Sequence, residues 1–365
     1  MIVDPYKRFY PFKEDFRDPF NRDRDRVIHA SSFRRLEYKT QVFINHDGDY
    51  FRTRLTHSIE VSQIARTLSK ALGLNEGLAE IIALSHDLGH TPFGHVGGDE
   101  LDARLKTDGF ANGFEHNYQS FRVVTKLEKR YKEFDGLNLT YATLEGILKH
   151  SAPYKKSFFH EDILRDFHLD YHPSLEAVVV DYSDEIAYIS ADIDDGLKYG
   201  LINFEILKES ELIKEVYKKV KSDGIKRDEE LFRHKFIATL ISELVYAFLA
   251  NSSKHKYDTD KPLCGVIQAD EKLEIGFDAD MGTKIKKLKK ILYQRLYKHH
   301  QITRKMFYGK KVVGDLYSAM MSDVRVLPYD EVQKIENKKH HRVVADYIAG
   351  MSDRYAIKLH HELYG

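Results

Sequence analysis

The chain has 365 residues, room for one large domain or two ordinary ones at ~150 residues each. Hydrophobic residues make up 42% and charged residues 31%, which fits a folded globular protein and excludes a disordered or collagen-like one. Lys+Arg and Asp+Glu number 57 each, so any hold on a polyanion must come from local clusters, not from a global field.

Residues 1–30 are polar and carry the charge-dense run RDPFNRDRDR; they read as an arm or short helix outside the core. From His57 the apolar positions Val61, Ile64, Ala65, Leu68 and Leu72 recur at helical spacing. His57 precedes Val61 by one turn and therefore lies on the inward side. A second helix is predicted from about Gly77 to Gly89, ending before Thr91-Pro92 because proline disfavours helical geometry in the preceding residue. The stretch TPFGHVGG (91–98) reads as a loop. Helical patterning resumes at 116–132, 140–150, 174–200 and 204–221, and the polar segment KSDGIKRDEE (221–230) marks a subdomain break. Helices at 231–250, 284–300 and 308–322 follow, with a last one starting near Arg342. Leu263 to Phe277 alternates as a hairpin would. There is no internal repeat, and the fold class expected is all-α.

The chain holds 19 histidines, and histidine serves both as metal ligand and as proton carrier near neutral pH. His57 in RLTHS, the doublet His86-Asp87 in SHDLGH and Asp184 in DYSDEIAY each sit on or beside an apolar stripe, where an unpaired charge is costly. Two imidazoles and two carboxylates suit Mn²⁺, Mg²⁺, Fe²⁺ or Zn²⁺. Asp184, Tyr188 and Asp192 are spaced four apart, so they share one helix face. A lone buried histidine, or a His-Asp doublet alone, is more often structural; the combination is what points to a metal.

With the blocks RDPFNRDRDRVIHASSFRRLEYKTQVF, HDLGHTPFGHVG, GFEHNYQSFRVV, DEIAYISADIDDGL and DYIAGMSDRYA, the chain resembles the deoxyguanosine triphosphate triphosphohydrolase family of HD-domain metal-dependent phosphohydrolases. The resemblance runs from about residue 17 to 356, nearly the whole chain. It implies three parts: an N-terminal arm and helix (1–52), an HD core (53–220) and a helical C-terminal region (221–365) that completes the active site. It implies hydrolysis of a dNTP to deoxynucleoside and tripolyphosphate, with His57, His86, Asp87 and Asp184 as ligands of Mn²⁺ or Mg²⁺, or of Fe²⁺ or Zn²⁺. His95 and His116 match active-site histidines, and Arg54 matches an α-phosphate contact. Gln41, Tyr188 and Asp192 match positions around the deoxyribose. In the basic segment Lys284–Lys305, otherwise a solvated face, the resemblance suggests Lys289 for phosphate and Tyr293 or Tyr297 for the nucleoside. It further implies a homo-oligomer, hexamer or tetramer, and a nucleotide or single-stranded DNA effector. Arg34 and Arg35 are expected to anchor helices through ion pairs.

The chain departs from the family pattern at two places. A glutamate common three residues after the loop histidine is Gly98 here, with Asp99 or Glu100 as substitutes from a shifted loop, and Ala191 replaces a histidine. Two other functions stay open: an HD phosphatase acting on another nucleotide, and a nucleotide- or single-stranded-DNA-binding regulator with weak activity. The lone Cys264 makes a reducing cytoplasm the expected compartment. No apolar run approaches the ~20 residues of a membrane span, and the charged start lacks a secretory core.

Overall fold

The computed structural model describes residues 3–13, 15–41, 52–151, 166–224, 230–253, 262, 264–335 and 339–365. Among these, helices supply all the regular structure, and β-pairing is confined to isolated bridges. The helices are α1 (Pro19–Ile28), α2 (Ser31–Arg35), α3 (Arg54–Leu72), α4 (Glu76–Ser85), α5 (His95–Thr107) and α6 (His116–Arg122). Next come α7 (Tyr141–Leu148), α8 (Leu175–Lys198), α9 (Phe204–Leu207), α10 (Glu211–Ser222) and α11 (Glu230–Ser252). The C-terminal set is α12 (Ala279–Leu292), α13 (His300–Ser322), α14 (Tyr329–Ile335), α15 (His340–Ala349) and α16 (Asp353–Tyr364). The all-α expectation is met, and among the described residues no helix is long and apolar enough to cross a membrane.

The frame of the site is α3, α4 and α8, packed side by side. Helix α3 opens on a capping box in which the Thr53 side chain accepts from the Thr56 amide, and it closes on Gly73 at φ 73°. Asn75 caps α4 and Ser174 caps α8 in the same way. The predicted stripe Val61, Ile64, Ala65, Leu68 and Leu72 is buried, in one apolar cluster with Ile81 and Ile82 of α4 and Ile186 and Ile189 of α8. That cluster also takes in Phe20 of α1, Phe236 of α11 and Leu288 of α12. A second cluster joins Leu101 and Leu105 of α5 to Val312 and Leu316 of α13 and Val344 and Ile348 of α15, with Phe93 among them.

Several sequence expectations need correcting. The N-terminal segment is core, not an outer arm: Phe20, Val27 and Asp23 are fully buried. The Asp23 carboxylate accepts from the Thr140 amide and hydroxyl, both at 2.7 Å, and pairs with Arg8. Its charge is hidden among partners that periodicity does not register. Helix α4 stops at Ser85, so His86 and Asp87 begin a tight turn instead of continuing the helix to Gly89.

Helix α5 starts inside the stretch read as a loop. Gly97 reads as a turn signal, yet it is helical and serves close packing, since a Cβ there would fall 2.1 Å from the Pro92 carbonyl oxygen. The turn proper uses Phe93 and Gly94, at φ 62° and 61°.

The segment 116–132 is helical only to Arg122, followed by a wide π turn through Leu127. The segment 204–221 divides into α9 and α10, and the C-terminal pattern near Arg342 divides into α15 and α16. The basic helix begins earlier, at Ala279, with Asp278 as its cap, and runs into a π turn at Tyr293–Tyr297. Helix α13 begins at His300, ahead of the predicted 308.

Among the described residues of 263–277 no hairpin forms, since Cys264 bridges to Val3 and Gln268 to Tyr171. Leu263, residues 225–229 of the polar segment and Val42-Phe43 of the KTQVF block lie outside the described residues. Arg35 anchors its helix by donating to the Gly350 carbonyl (3.0 Å), and Arg34 donates to the His29 carbonyl (3.4 Å), so among the described residues both anchor through carbonyls instead of ion pairs.

Candidate metal centre and phosphate cavity

His57 lies on the first turn of α3, His86 and Asp87 follow the end of α4, and Asp184 sits mid-way along α8. The packing of these three helices brings the four side chains together. His57 Nε2 is 2.8 Å from Asp184 Oδ1. His86 Nε2 is 3.4 Å from Asp87 Oδ1 and 3.9 Å from Asp184 Oδ1. His86 Nδ1 donates to the Ala83 carbonyl at 2.7 Å, leaving the Nε2 lone pair facing the carboxylates. A ligating histidine is oriented in this manner.

Burial lowers the proton affinity of His86 and keeps it neutral, as a ligand must be. Burial alone would raise Asp87, but the Arg54 guanidinium, with His86 and His90, holds it well below the usual carboxylate range. Burial likewise opposes ionisation of Asp184, and the bonds from His150 and His57 override it. Burial opposes a charge on His57, and its bond to Asp184 overrides that and raises its proton affinity. Two imidazoles and two stable carboxylates converging in one corner are a donor set that fits a divalent cation.

Three further residues belong to this corner, and sequence reasoning did not assign them. His150, just past α7, has its Nδ1 2.6 Å from Asp181 and its Nε2 3.7 Å from Asp184 Oδ2. Ligand atoms of His86, His150 and Asp184 lie within 4.8 Å of one another, as do those of His57, His86 and Asp87. His90 has its Nδ1 3.0 Å from Asp87 Oδ1. The only signal for His90 was its place in HDLGHTPFGH; His150 and Asp181 carried none, because the contact depends on the pairing of α7 with α8.

A cavity of about 750 Å³ opens in front of this corner. It is lined by Gln41, Arg54, His57, Asp87, His95, His116, Asp184, Tyr188, Asp192, Tyr293 and Tyr297 among others. Arg54, at the first position of α3 and buried, donates from Nη1 to Asp87 Oδ2 at 2.8 Å. Gly94 leaves it room, since a Cβ there would lie 3.1 Å from Arg54 Nη2. His95 opens α5 and meets His90 and His116 in a group of three imidazoles, with ring centres 5.3 and 5.6 Å from His95 and 4.3 Å between His90 and His116. Burial lowers the proton affinity of all three, that of His90 to about 3.

Across the cavity Tyr188 and Asp192 share the face of α8 that their spacing predicts. Tyr297 donates its hydroxyl to Asp192, whose carboxyl burial pushes up to about 7. Lys289 is not among the cavity-lining residues: its ammonium pairs with Glu185 at 2.8 Å and lies 5.5 Å from the Tyr188 ring centre. Lys298 lines the cavity and stands 4.7 Å from the ring centre of half-exposed Tyr293. Glu100 does not replace the family glutamate; it binds Arg104 at 2.7 Å and faces Lys310 at 3.6 Å.

Residues 54–189 match the HD domain family and residues 275–362 the phosphohydrolase-associated domain family. A Wolinella succinogenes protein named deoxyguanosinetriphosphate triphosphohydrolase-like protein is 60% identical over 361 residues, covering 99% of both chains. Proteins of the same name from Thiobacillus denitrificans and Geobacter sulfurreducens are 47% and 44% identical, covering 95% and 96% of this chain and 91% and 90% of their own. HD domains are metal-dependent, in keeping with the His/Asp corner. By these matches the chain belongs to the deoxyguanosinetriphosphate triphosphohydrolase-like family of HD-domain phosphohydrolases.

Proposed function

We propose that the protein hydrolyses deoxynucleoside triphosphates to deoxynucleoside and tripolyphosphate, with His57, His86, Asp87 and Asp184 holding the divalent cation, Mn²⁺ or Mg²⁺. The observation that carries this reading is one cavity with a buried His/Asp corner, a fixed guanidinium, three imidazoles and a tyrosine-lined far wall. A bound divalent cation supplies a polarised phosphoryl oxygen and a water of lowered pKa.

The chain's own residues do the rest. Arg54 directs its guanidinium at the α-phosphate, where negative charge spreads over the oxygens in the transition state. The 5′-alkoxide leaves poorly unless protonated, and His95 supplies that proton. The charge of a bound triphosphate favours the protonated form of His95. His116, beside it, is the second histidine of the phosphate region. Gln41, Asp192 and Tyr297 surround the sugar, Tyr293 faces the nucleoside, and Lys298, in place of Lys289, is the lysine lining the cavity.

Tyr188 presents its ring to C2′, leaving neither space nor partner for a 2′-hydroxyl. Tyr188→Ala is therefore expected to narrow the dNTP-over-NTP preference by about tenfold, the size of a single pocket contact. An unchanged ratio of kcat/KM for dGTP and GTP removes this role from Tyr188.

Gly98 is a second test. The nearest atoms to a Cβ there are Thr91 Oγ1 at 3.7 Å and Phe114 at 3.8 Å, ordinary contact distances, so the Cβ is accommodated. Gly98→Glu is expected to raise kcat about tenfold, the low end of what a carboxylate orienting a histidine contributes. A variant that binds metal and dNTP normally but gains no rate shows that no carboxylate is missing.

The function itself is tested by incubating the protein with each dNTP and Mn²⁺ or Mg²⁺ and resolving the products. Deoxynucleoside with intact tripolyphosphate supports the reading. Orthophosphate or pyrophosphate instead identifies a different nucleotide phosphatase, and steeply salt-dependent DNA binding without turnover identifies a regulator.

A further inference from the structure

The loop that carries His90 to His95 is held from the far end of the chain. Phe93 sits at φ 62°, in the left-handed region that a non-glycine side chain rarely adopts. Such a conformation persists only where the surroundings over-determine it. Here they do so from three directions. The Phe93 amide donates to Asp353 Oδ1 at 3.0 Å, across the chain from α16. The Phe93 ring lies in the second apolar cluster, against α13, where a Cβ on Gly309 would fall 2.7 Å from its Cγ. The Lys39 ammonium, fully inside the protein, donates to the His90 carbonyl and to the Ala349 carbonyl, the latter at 2.8 Å.

Asp353 does more than hold Phe93. Its Oδ2 accepts from the Thr40 amide at 3.0 Å and from the Thr40 hydroxyl. Thr40 pairs in turn with Thr53, the cap of α3, next to Arg54 and one turn from His57. One 4% exposed carboxyl therefore ties α16, the segment leading to Gln41 and the loop leading to His95 into a single frame.

We propose that Asp353 is a positioning residue. It touches neither the cavity nor the ligand corner, and it sets the backbone from which His90 and His95 project. The C-terminal helices, on this view, hold the active-site loop in its strained conformation, with Gly309 as the seat for the Phe93 ring. The proposal rests on the reading of His95 as part of the hydrolytic machinery, and its test is arranged to stand apart from that reading.

The test compares Asp353→Ala, Asp353→Asn and Gly309→Ala with the parent in the full-length metal-loaded protein. Amide hydrogen exchange of the 88–95 peptide is read beside kcat and KM for a dNTP. Asp353→Ala is expected to speed exchange of the loop about tenfold or more. It should lower kcat by about 10²-fold, the cost of a small misplacement of a catalytic group, with KM within about threefold. Asp353→Asn keeps an oxygen for the Phe93 amide but sets an NH₂ against the Thr40 amide, so it should restore both only in part. Gly309→Ala displaces the ring while its gain in helix propensity offsets part of the crowding, and it leaves the Asp353 hydrogen bonds untouched, so it tests the loop independently of Asp353→Ala. Loop exchange unchanged in the folded variants overturns the proposal, as does a kcat equal to the parent's in a loosened loop. If the parent hydrolyses no dNTP, the functional reading falls, and the exchange data alone decide whether Asp353 holds the loop.

Discussion

Replacing His57 or Asp184 by alanine is expected to leave the protein folded, without stoichiometric metal and with turnover reduced about 10³-fold or more. The magnitude follows from the charge stabilisation lost, several kcal/mol at about 1.4 kcal/mol per decade of rate. Each substitution removes one of the four donors that converge in the corner. His57 and Asp184 face each other at 2.8 Å, so removing Asp184 costs the buried His57 its partner, while removing His57 leaves Asp184 with His150 beside it at 3.7 Å. Elemental analysis after dialysis, beside product chromatography, checks both halves. Metal retained at one equivalent in either variant shows that the ligand set is wrong, and His150, with its Nε2 3.7 Å from Asp184 Oδ2, is then the residue to examine.

His95→Ala is expected to lose ~10²–10⁴ in kcat while keeping metal and dNTP binding. The separation of effects is the point of the experiment. His95 projects from the first position of α5, on the cavity side, while the ligand corner is built by α3, α4 and α8. Its loss should therefore spare the metal and remove the proton supply to the leaving oxygen. A near-parent kcat removes the general-acid role. A large rise in KM with unchanged kcat recasts His95 as a phosphate contact.

What the sequence disclosed is what periodicity and short-range spacing can carry. The four-residue steps among Asp184, Tyr188 and Asp192 do place them on one face of α8, where all three line the cavity. The stripe behind His57 does bury, and the His86-Asp87 doublet does meet His57 and Asp184. Chemistry that depends on distant pairing stayed hidden. Asp353 and Thr40 are 313 residues apart, and nothing local in SDRYA marks a carboxyl that will hold an active-site loop. The link from Asp181 through His150 to Asp184 arises only when α7 meets α8. The buried Asp23 lies in a run read as an arm or short helix outside the core, because a single sequence shows no sign of Thr140 or Arg8 beside it. Local rules failed once in the opposite sense, at Gly97, where a glycine taken for a turn is helical so that α5 can approach the Pro92 carbonyl.

The most direct measurement is the destination of solvent oxygen during turnover. With a dNTP, Mn²⁺ or Mg²⁺ and H₂¹⁸O, attack of water at the α-phosphorus with departure of the 5′-oxygen puts one ¹⁸O into tripolyphosphate and none into the deoxynucleoside. Mass spectrometry of the two products reads this in a single reaction. Label in the 5′-hydroxyl of the nucleoside, or release of labelled orthophosphate or pyrophosphate in place of tripolyphosphate, contradicts the account.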